Sequence, residues 1–370
     1  MIHYLPLDEM TRRFQPALSQ AVDSVVQGGR YLNGPHLSAF EQAFAAYVGA
    51  ECCVGVGNGL DALTLALMVM KAEYGWADAD EVVVPAMTFV ATALAVVRAG
   101  LRPVLCDVDD RALMTASSAA SVITSRTRVL LPVHLYGQLA PMDELTQLAR
   151  QHGLHVLEDA AQAHGASLSG RRAGAWGTMA AFSFYPGKNL GALGDAGAVT
   201  TSDASLARRV RMLANYGAEQ KYLHTEAGVN SRMDELQAAV LQVKLPTLDA
   251  DNACRLSIAR VYDERITAPS VRKPSFRGDG SHVFHIYALR VPCREAFMKH
   301  MAACGVETLI HYPRTLADQP ALRELADSLS GAPFTHAADW AQCEVSLPLS
   351  PLLTVDDVNH IVDAVNAYGD

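Results

Sequence analysis

Lys188 lies in a glycine-rich turn, PGKNLGALGDAG, set between the apolar run AAFSFY and the run GAVTT. Upstream by 29 positions, the run LHVLED ends on Asp159. An amine held among apolar residues loses part of its hydration, which lowers its pKa toward the nucleophilic range. A carboxylate at the C-terminal end of a strand in an α/β sheet stands where such sheets bind ligands. An amine able to attack an aldehyde and an acid able to face a ring nitrogen are the groups that a pyridoxal phosphate site requires.

Each segment also admits a plainer reading. Asp159 could simply cap the helix that follows it. In EDAAQAHG, however, Gln162 comes three residues later and faces the same side once the chain turns helical. A carboxylate beside a pyridine nitrogen favours the protonated ring, which then acts as an electron sink. Most lysines are solvated surface charges, but Lys188 follows Phe182, Phe184 and Tyr185. Ser183, across the Pro-Gly turn, could bind a phosphate on the same small molecule whose aldehyde Lys188 reaches.

The run CCVGVGNGLDAL leads through Gly55, Gly57 and Gly59 into a helical pattern. Glycines at a helix start let backbone N–H groups approach an anion. A dinucleotide reading competes: the spacing is G-x-G-x-G, position 60 is Leu60, and the next strand, EVVVP, ends in proline rather than in a ribose-binding acid. A tight turn with no ligand is a third possibility.

The elements that must position these residues follow from the pattern. At 370 residues the chain exceeds what one core usually serves, so two domains are expected. From about Ser38 to Thr201, apolar runs alternate with amphipathic stretches, the mark of βα units building a mainly parallel sheet. EVVVP, RPVLCDV, VLLPVHLY, LHVLED, MAAFSFY and GAVTT are the expected strands. In PMDELTQLARQHG, Pro141 opens a helix at a first-turn position and Gly153 closes it. A long helical stretch from Met233 to about Arg260 leads to a smaller α+β domain, with HIYALRV as a strand and REAFMKHMAACG as a helix. The expected divisions are an N-terminal segment, 1–30, packing on the rest; a large α/β domain, 31–250; and a small domain, 251–370.

The formal net charge of −9, without a basic run, argues against nucleic acid as a partner. No stretch has the length and apolarity of a signal peptide or membrane span. Seven scattered cysteines with no C-x-x-C pair suit a reducing compartment, and the expected location is the cytoplasm. His152 with His155, and His282 with His285, have a spacing seen in metal sites, but no further ligands complete a shell, so no metal is expected.

Taken in order, GNGLDAL, PAMTFVATALAV, LEDAAQAHGA, FSFYPGKNLGALGDAGAV, NYG and GVNSRMDELQAA resemble the DegT/DnrJ/EryC1/StrS family of sugar aminotransferases. The resemblance spans Tyr31 to Pro313. It implies an α/β, aspartate-aminotransferase-type (fold type I) architecture: a large domain with a mainly parallel mixed sheet and a smaller C-terminal domain. Lys188 matches the lysine that binds the cofactor covalently, Asp159 the partner of the ring nitrogen, Gln162 the contact to the ring hydroxyl, and Phe89 the stacking aromatic. Ser183 and the backbone of Gly59, Leu60 and Asp61 match the phosphate cradle. Asn230 matches an asparagine that reaches the neighbouring subunit's phosphate, which implies a homodimer. Tyr185, His311 and Tyr312 are carried as sugar contacts.

The implied reaction moves an amino group from L-glutamate to a keto carbon of a dTDP-linked keto-6-deoxyhexose, with pyridoxal 5'-phosphate cycling through pyridoxamine 5'-phosphate. SFYPGKNLGALGD resembles the subgroup that aminates C3. Lys188 argues against family members in which histidine replaces the lysine and the reaction is a dehydration. The alternatives are a C4 aminotransferase, a nicotinamide oxidoreductase using Gly55–Gly59, and a catalytically silent sugar-nucleotide sensor.

Overall fold

The structure, a computed structural model, describes residues 1–325 and 334–369. Seven strands form its main sheet: β1 Cys52–Val56, β2 Glu81–Pro85, β3 Arg102–Cys106, β4 Thr127–Leu130, β5 His155–Asp159, β6 Met179–Ser183 and β7 Gly197–Thr201. Their order is β1-β7-β6-β5-β4-β2-β3. From β6 across to β3 all pairs are parallel, while β7 runs antiparallel to β6 and to β1. Strands buried on both faces read as continuous apolar runs, and EVVVP and GAVTT are buried at every position.

Connections between parallel strands need crossovers, here the helices Gly59–Tyr74, Ala91–Arg98 and Met142–His152. They and their neighbours form two apolar clusters, one on each face of the sheet. The C-terminal ends of β1, β2, β4, β5 and β6 therefore deliver their loops to one edge. At that edge β7 begins on Gly197, where an added Cβ would stand 2.4 Å from the Asn58 carbonyl carbon. Only a residue without a side chain lets β7 pass so close to the turn that opens the Gly59–Tyr74 helix.

Three expected elements differ in detail. VLLPVHLY is a strand only to Leu130, because Pro132 has no N–H for the ladder. Tyr136 and Gly137, at φ 62° and 89°, then turn the chain into a short 3₁₀ helix. Pro141 stands one residue earlier than expected, at the cap, before the helix Met142–His152 that Gly153 ends in the left-handed conformation. The long helical stretch is two helices, Glu235–Lys244 and Leu248–Arg265, separated by a 3₁₀ turn containing Pro246.

Towards the C-terminus, β8 Tyr287–Arg290 pairs antiparallel with β9 Glu344–Leu347. The helices Leu248–Arg265, Arg294–Ala303 and Val355–Asn366 join them around a third apolar cluster that includes Tyr262, Phe284, Tyr287, Phe297, Val345 and Ile361. The N-terminal segment packs against this unit: Ile2 pairs with Val306, the Tyr4 N–H donates to Glu307, and Arg13 pairs with Asp251. Within the span 251–370, residues 326–333 and 370 lie outside the described residues.

Candidate active site

Aromatic packing fixes the loop that carries Lys188. Phe182 and Phe184 are buried edge-on against Phe44, and Phe184 also against Phe40. The Phe184 N–H donates to Ala196 O at 2.8 Å, and the Lys188 N–H closes the turn on Tyr185 O at 2.8 Å. Lys188 is half-buried, and among the described residues no acceptor lies within hydrogen-bond distance of its Nζ. Burial pushes its pKa down to about 8, with the Asp159 carboxylate opposing the shift. About a tenth of this amine is thus neutral at pH 7, far more than for an ordinary lysine, and the neutral form is the nucleophile.

Asp159 ends β5 and is 6% exposed. Its Oδ2 accepts the Thr92 hydroxyl at 2.9 Å, and its Oδ1 accepts the Ala161 N–H at 3.2 Å. Burial raises its pKa, and the Thr92 and Ala161 hydrogen bonds, Lys188 and His134 pull it back. Its neighbour Glu158 points to the other face of the sheet, where it accepts the N–H groups of Gly174, Trp176 and Gly177 and lies 3.0 Å from His134 Nε2. Alternation along β5 thus puts the two neighbouring acids on opposite faces of the sheet.

At the start of the Gly59–Tyr74 helix, Asn58 caps the Asp61 N–H at 2.8 Å. The Gly59 and Leu60 amides have no such side-chain cap among the described residues. The Asp61 carboxylate accepts the Ser231 hydroxyl at 2.7 Å and the Asn58 amide at 3.1 Å, and Ser231 Oγ accepts the Gly57 N–H at 3.0 Å. A Cβ on Gly59 would stand 2.7 Å from Ser183 Cβ, so strand β6 and the helix start converge there. Gly55 is buried inside β1, where a Cβ would meet Leu37 at 2.6 Å, and serves packing rather than a phosphate loop.

The remaining predicted residues fall as follows. Gln162 Oε1 accepts the Tyr136 N–H at 2.6 Å, and its Nε2 donates to the Tyr312 hydroxyl at 3.1 Å. Phe89 is 53% exposed and leans on Tyr312 with ring centroids 5.4 Å apart. His311 Nδ1 lies 2.8 Å from Ser346 Oγ. Tyr185 and Asn230 are exposed, Asn230 bridging to Asn215. Of the paired histidines, His155 stacks on Tyr74 and His282 on Phe284, and no group of three metal-ligating side chains occurs among the described residues.

These residues fit pyridoxal phosphate by their chemistry. A buried carboxylate held by neutral donors, with no arginine or lysine within 4 Å among the described residues, suits a cationic ring nitrogen. Phe89 offers an open aromatic face, and Ser183 with the helix start offers donors to an anion. Thr92, Tyr136, Ser231, Glu344 and Ser346 escaped the sequence reading. Only Thr92 left a trace, one helical turn beyond Thr88, to which it is hydrogen-bonded at 2.9 Å.

Similarity to known proteins agrees with this chemistry. The profile of the DegT/DnrJ/EryC1/StrS aminotransferase family matches residues 13–366. The chain is 43% identical over 371 residues to the dTDP-3-amino-3,4,6-trideoxy-alpha-D-glucose transaminase of Streptomyces venezuelae, covering 100% of this chain and 96% of that one. It is 44% identical over 370 residues to the dTDP-3-amino-3,6-dideoxy-alpha-D-galactopyranose transaminase of Aneurinibacillus thermoaerophilus, covering 100% of both. The crystal structure of S. venezuelae DesV superposes with a TM-score of 0.94 at 42% identity, over 100% of this chain and 99% of that one. NtdA of Bacillus subtilis, solved with bound cofactor PMP, superposes with a TM-score of 0.89 at 28% identity, over 98% of this chain and 84% of that one.

Proposed function

The chain belongs to the DegT/DnrJ/EryC1/StrS aminotransferase family, and from that membership we propose that it transfers an amino group from L-glutamate to the C3 keto carbon of a dTDP-linked keto-6-deoxyhexose. The observation that carries this reading is the full-length identity above 40% to two transaminases named for dTDP-3-amino sugars. Family membership sets aside the nicotinamide reading, and the burial of Gly55 within β1 removes the glycine spacing on which that reading leaned.

When bound, pyridoxal phosphate supplies an aldehyde that captures amines and a cationic ring that spreads the electrons left on an adjoining carbon. The chain supplies the rest. Lys188 Nζ would hold the aldehyde covalently and, as a free amine, would take up and return a proton. Asp159 would keep the ring nitrogen protonated, its carboxylate oriented by the Thr92 hydroxyl. Phe89 would cover one ring face, Gln162 would meet the ring hydroxyl, and Ser183 with the Gly59 and Leu60 amides would hold the phosphate.

His311, Tyr312 and Tyr185 line the sugar side on this reading. The cavity is completed by Asn230 of a second copy, so the working unit is a homodimer. Its location is the cytoplasm; no helix among the described residues is long and apolar enough to cross a membrane, and all seven cysteines are free thiols. Borohydride reduction of the loaded protein followed by peptide mass spectrometry should place the cofactor on Lys188. Lys188→Ala should lose both that adduct and glutamate turnover; wild-type turnover in the variant would end the proposal.

A further inference from the structure

The His311–Tyr312 turn is tied to a buried acid that the reaction above does not use. Glu344 and Ser346 stand two residues apart on β9, so the pleat places both on one face, and both are fully buried. Glu344 Oε2 accepts the His311 main-chain N–H at 2.5 Å, and Oε1 accepts the Ser346 hydroxyl at 2.5 Å. Ser346 Oγ in turn lies 2.8 Å from His311 Nδ1. On the other side, the Tyr136 hydroxyl donates to His311 O at 2.6 Å. Among the described residues no protein group bonds His311 Nε2.

Counting hydrogens fixes the ring. Ser346 has one hydroxyl hydrogen. While Glu344 is ionised that hydrogen points to Oε1, so Ser346 can only accept from the ring, and His311 carries its hydrogen on Nδ1 with a lone pair at Nε2. With a proton on Glu344 Oε1, the acid donates to Ser346, the serine hydrogen turns to Nδ1, and the ring hydrogen is on Nε2. We propose that Glu344 is a positioning residue: through Ser346 it sets which nitrogen of His311 bears the proton, and so whether Nε2 meets the sugar substrate as an acceptor or as a donor. The inference rests on the reading that His311 faces the sugar.

The two states interconvert by a balanced shift. A proton arrives at Nε2, the proton on Nδ1 passes to Ser346 Oγ, and the hydroxyl proton passes to Glu344 Oε1; the imidazole ends neutral. Its surroundings favour this outcome over an imidazolium. Burial, and then Lys188, push the His311 pKa down to about 4. Burial pushes Glu344 up to about 7, against the Ser346 hydroxyl, the His311 N–H and Arg294. The other ionisable groups that feel Glu344 are Tyr4, Tyr136 and Tyr312, all raised by burial and neutral; Tyr4 also shares a hydrogen bond with Ser346, and by donating its hydroxyl to the second lone pair of Oγ in both states it leaves the hydrogen count unchanged.

Nitrogen NMR of holoenzyme labelled at the histidine rings tests this, with His311 assigned by its loss in His311→Gln. The wild type should show a neutral ring that changes from the Nδ1–H to the Nε2–H form as pH falls through about 7. In Glu344→Gln the amide oxygen keeps the His311 N–H and the NH₂ faces Ser346, so the ring should stay Nε2–H at every pH. Ser346→Ala, a second variant that leaves the acid in place, should abolish the change. A single tautomer throughout in the wild type, or wild-type behaviour in both variants, overturns the proposal. Borohydride attachment at Lys188 in the same samples reports separately on the reading of the site.

Discussion

The Thr92 hydroxyl donates to Asp159 Oδ2 at 2.9 Å, joining the helix after β2 to the end of β5 across 67 residues of sequence. This bond favours the ionised carboxylate and opposes the burial that raises its pKa. Thr92→Val keeps the shape and removes the donor, at a cost of about 1–3 kcal/mol to the buried acid. Cofactor affinity, followed by absorbance titration, should weaken roughly tenfold, and Thr92→Ser should restore most of it. Unchanged affinity in Thr92→Val would separate this hydroxyl from the ring-binding acid.

Lys188 releases its proton at about 8 in the fold, against an ordinary value of 10.5. Only the neutral amine attacks an aldehyde, so the rate of covalent attachment to cofactor-free protein should rise with pH and level off above about 8. Stopped-flow absorbance reads this directly. Between the two values the unfolded chain binds more protons than the folded one, so the stability of the cofactor-free protein should also rise with pH there. Lys188→Met should flatten that slope in chemical denaturation.

Gly59 and Ser183 leave no room between them, since a Cβ on Gly59 would stand 2.7 Å from Ser183 Cβ. Gly59→Val should push the helix start away from β6 and cost about 1–3 kcal/mol by overpacking. The expected signature is selective: binding of the phosphorylated cofactor falls, while attachment of unphosphorylated pyridoxal at Lys188, measured by borohydride trapping, changes much less.

Glu158 predicts the opposite pattern. Its carboxylate receives three main-chain N–H groups and faces His134. His134 Nδ1 accepts the Ala140 N–H at 3.2 Å, so Nε2 carries the hydrogen that points at the acid. Glu158→Gln sets an NH₂ against one of these donors, and a loss of about 3–5 kcal/mol is expected. Denaturant melts should show the loss whether or not the cofactor is bound, with the Lys188 adduct still forming in the folded fraction.

The motifs that read clearly in the sequence are those whose parts are local. Lys188, Ser183 and their aromatic neighbours occupy one turn, and Asp159 and Gln162 occupy one strand end, so spacing alone brought them forward. Thr92, Tyr136, Glu344 and Ser346 act on residues far away in the chain and belong to segments that read as ordinary core or strand. The limits of VLLPVHLY and of the long helical stretch were set by Pro132 and Pro246, each removing one backbone donor inside an otherwise regular apolar pattern.

Gln162 reaches Tyr312, and Tyr136 reaches His311, between the large sheet and the side of the β8–β9 pair. A chain still emerging from the ribosome would contain all seven strands and the Lys188 turn before the segment that carries His311, Tyr312, Glu344 and Ser346 is made. The bonds that anchor His311 to Glu344 and Ser346 are therefore completed only after residue 346 has been made, later than any strand of the main sheet.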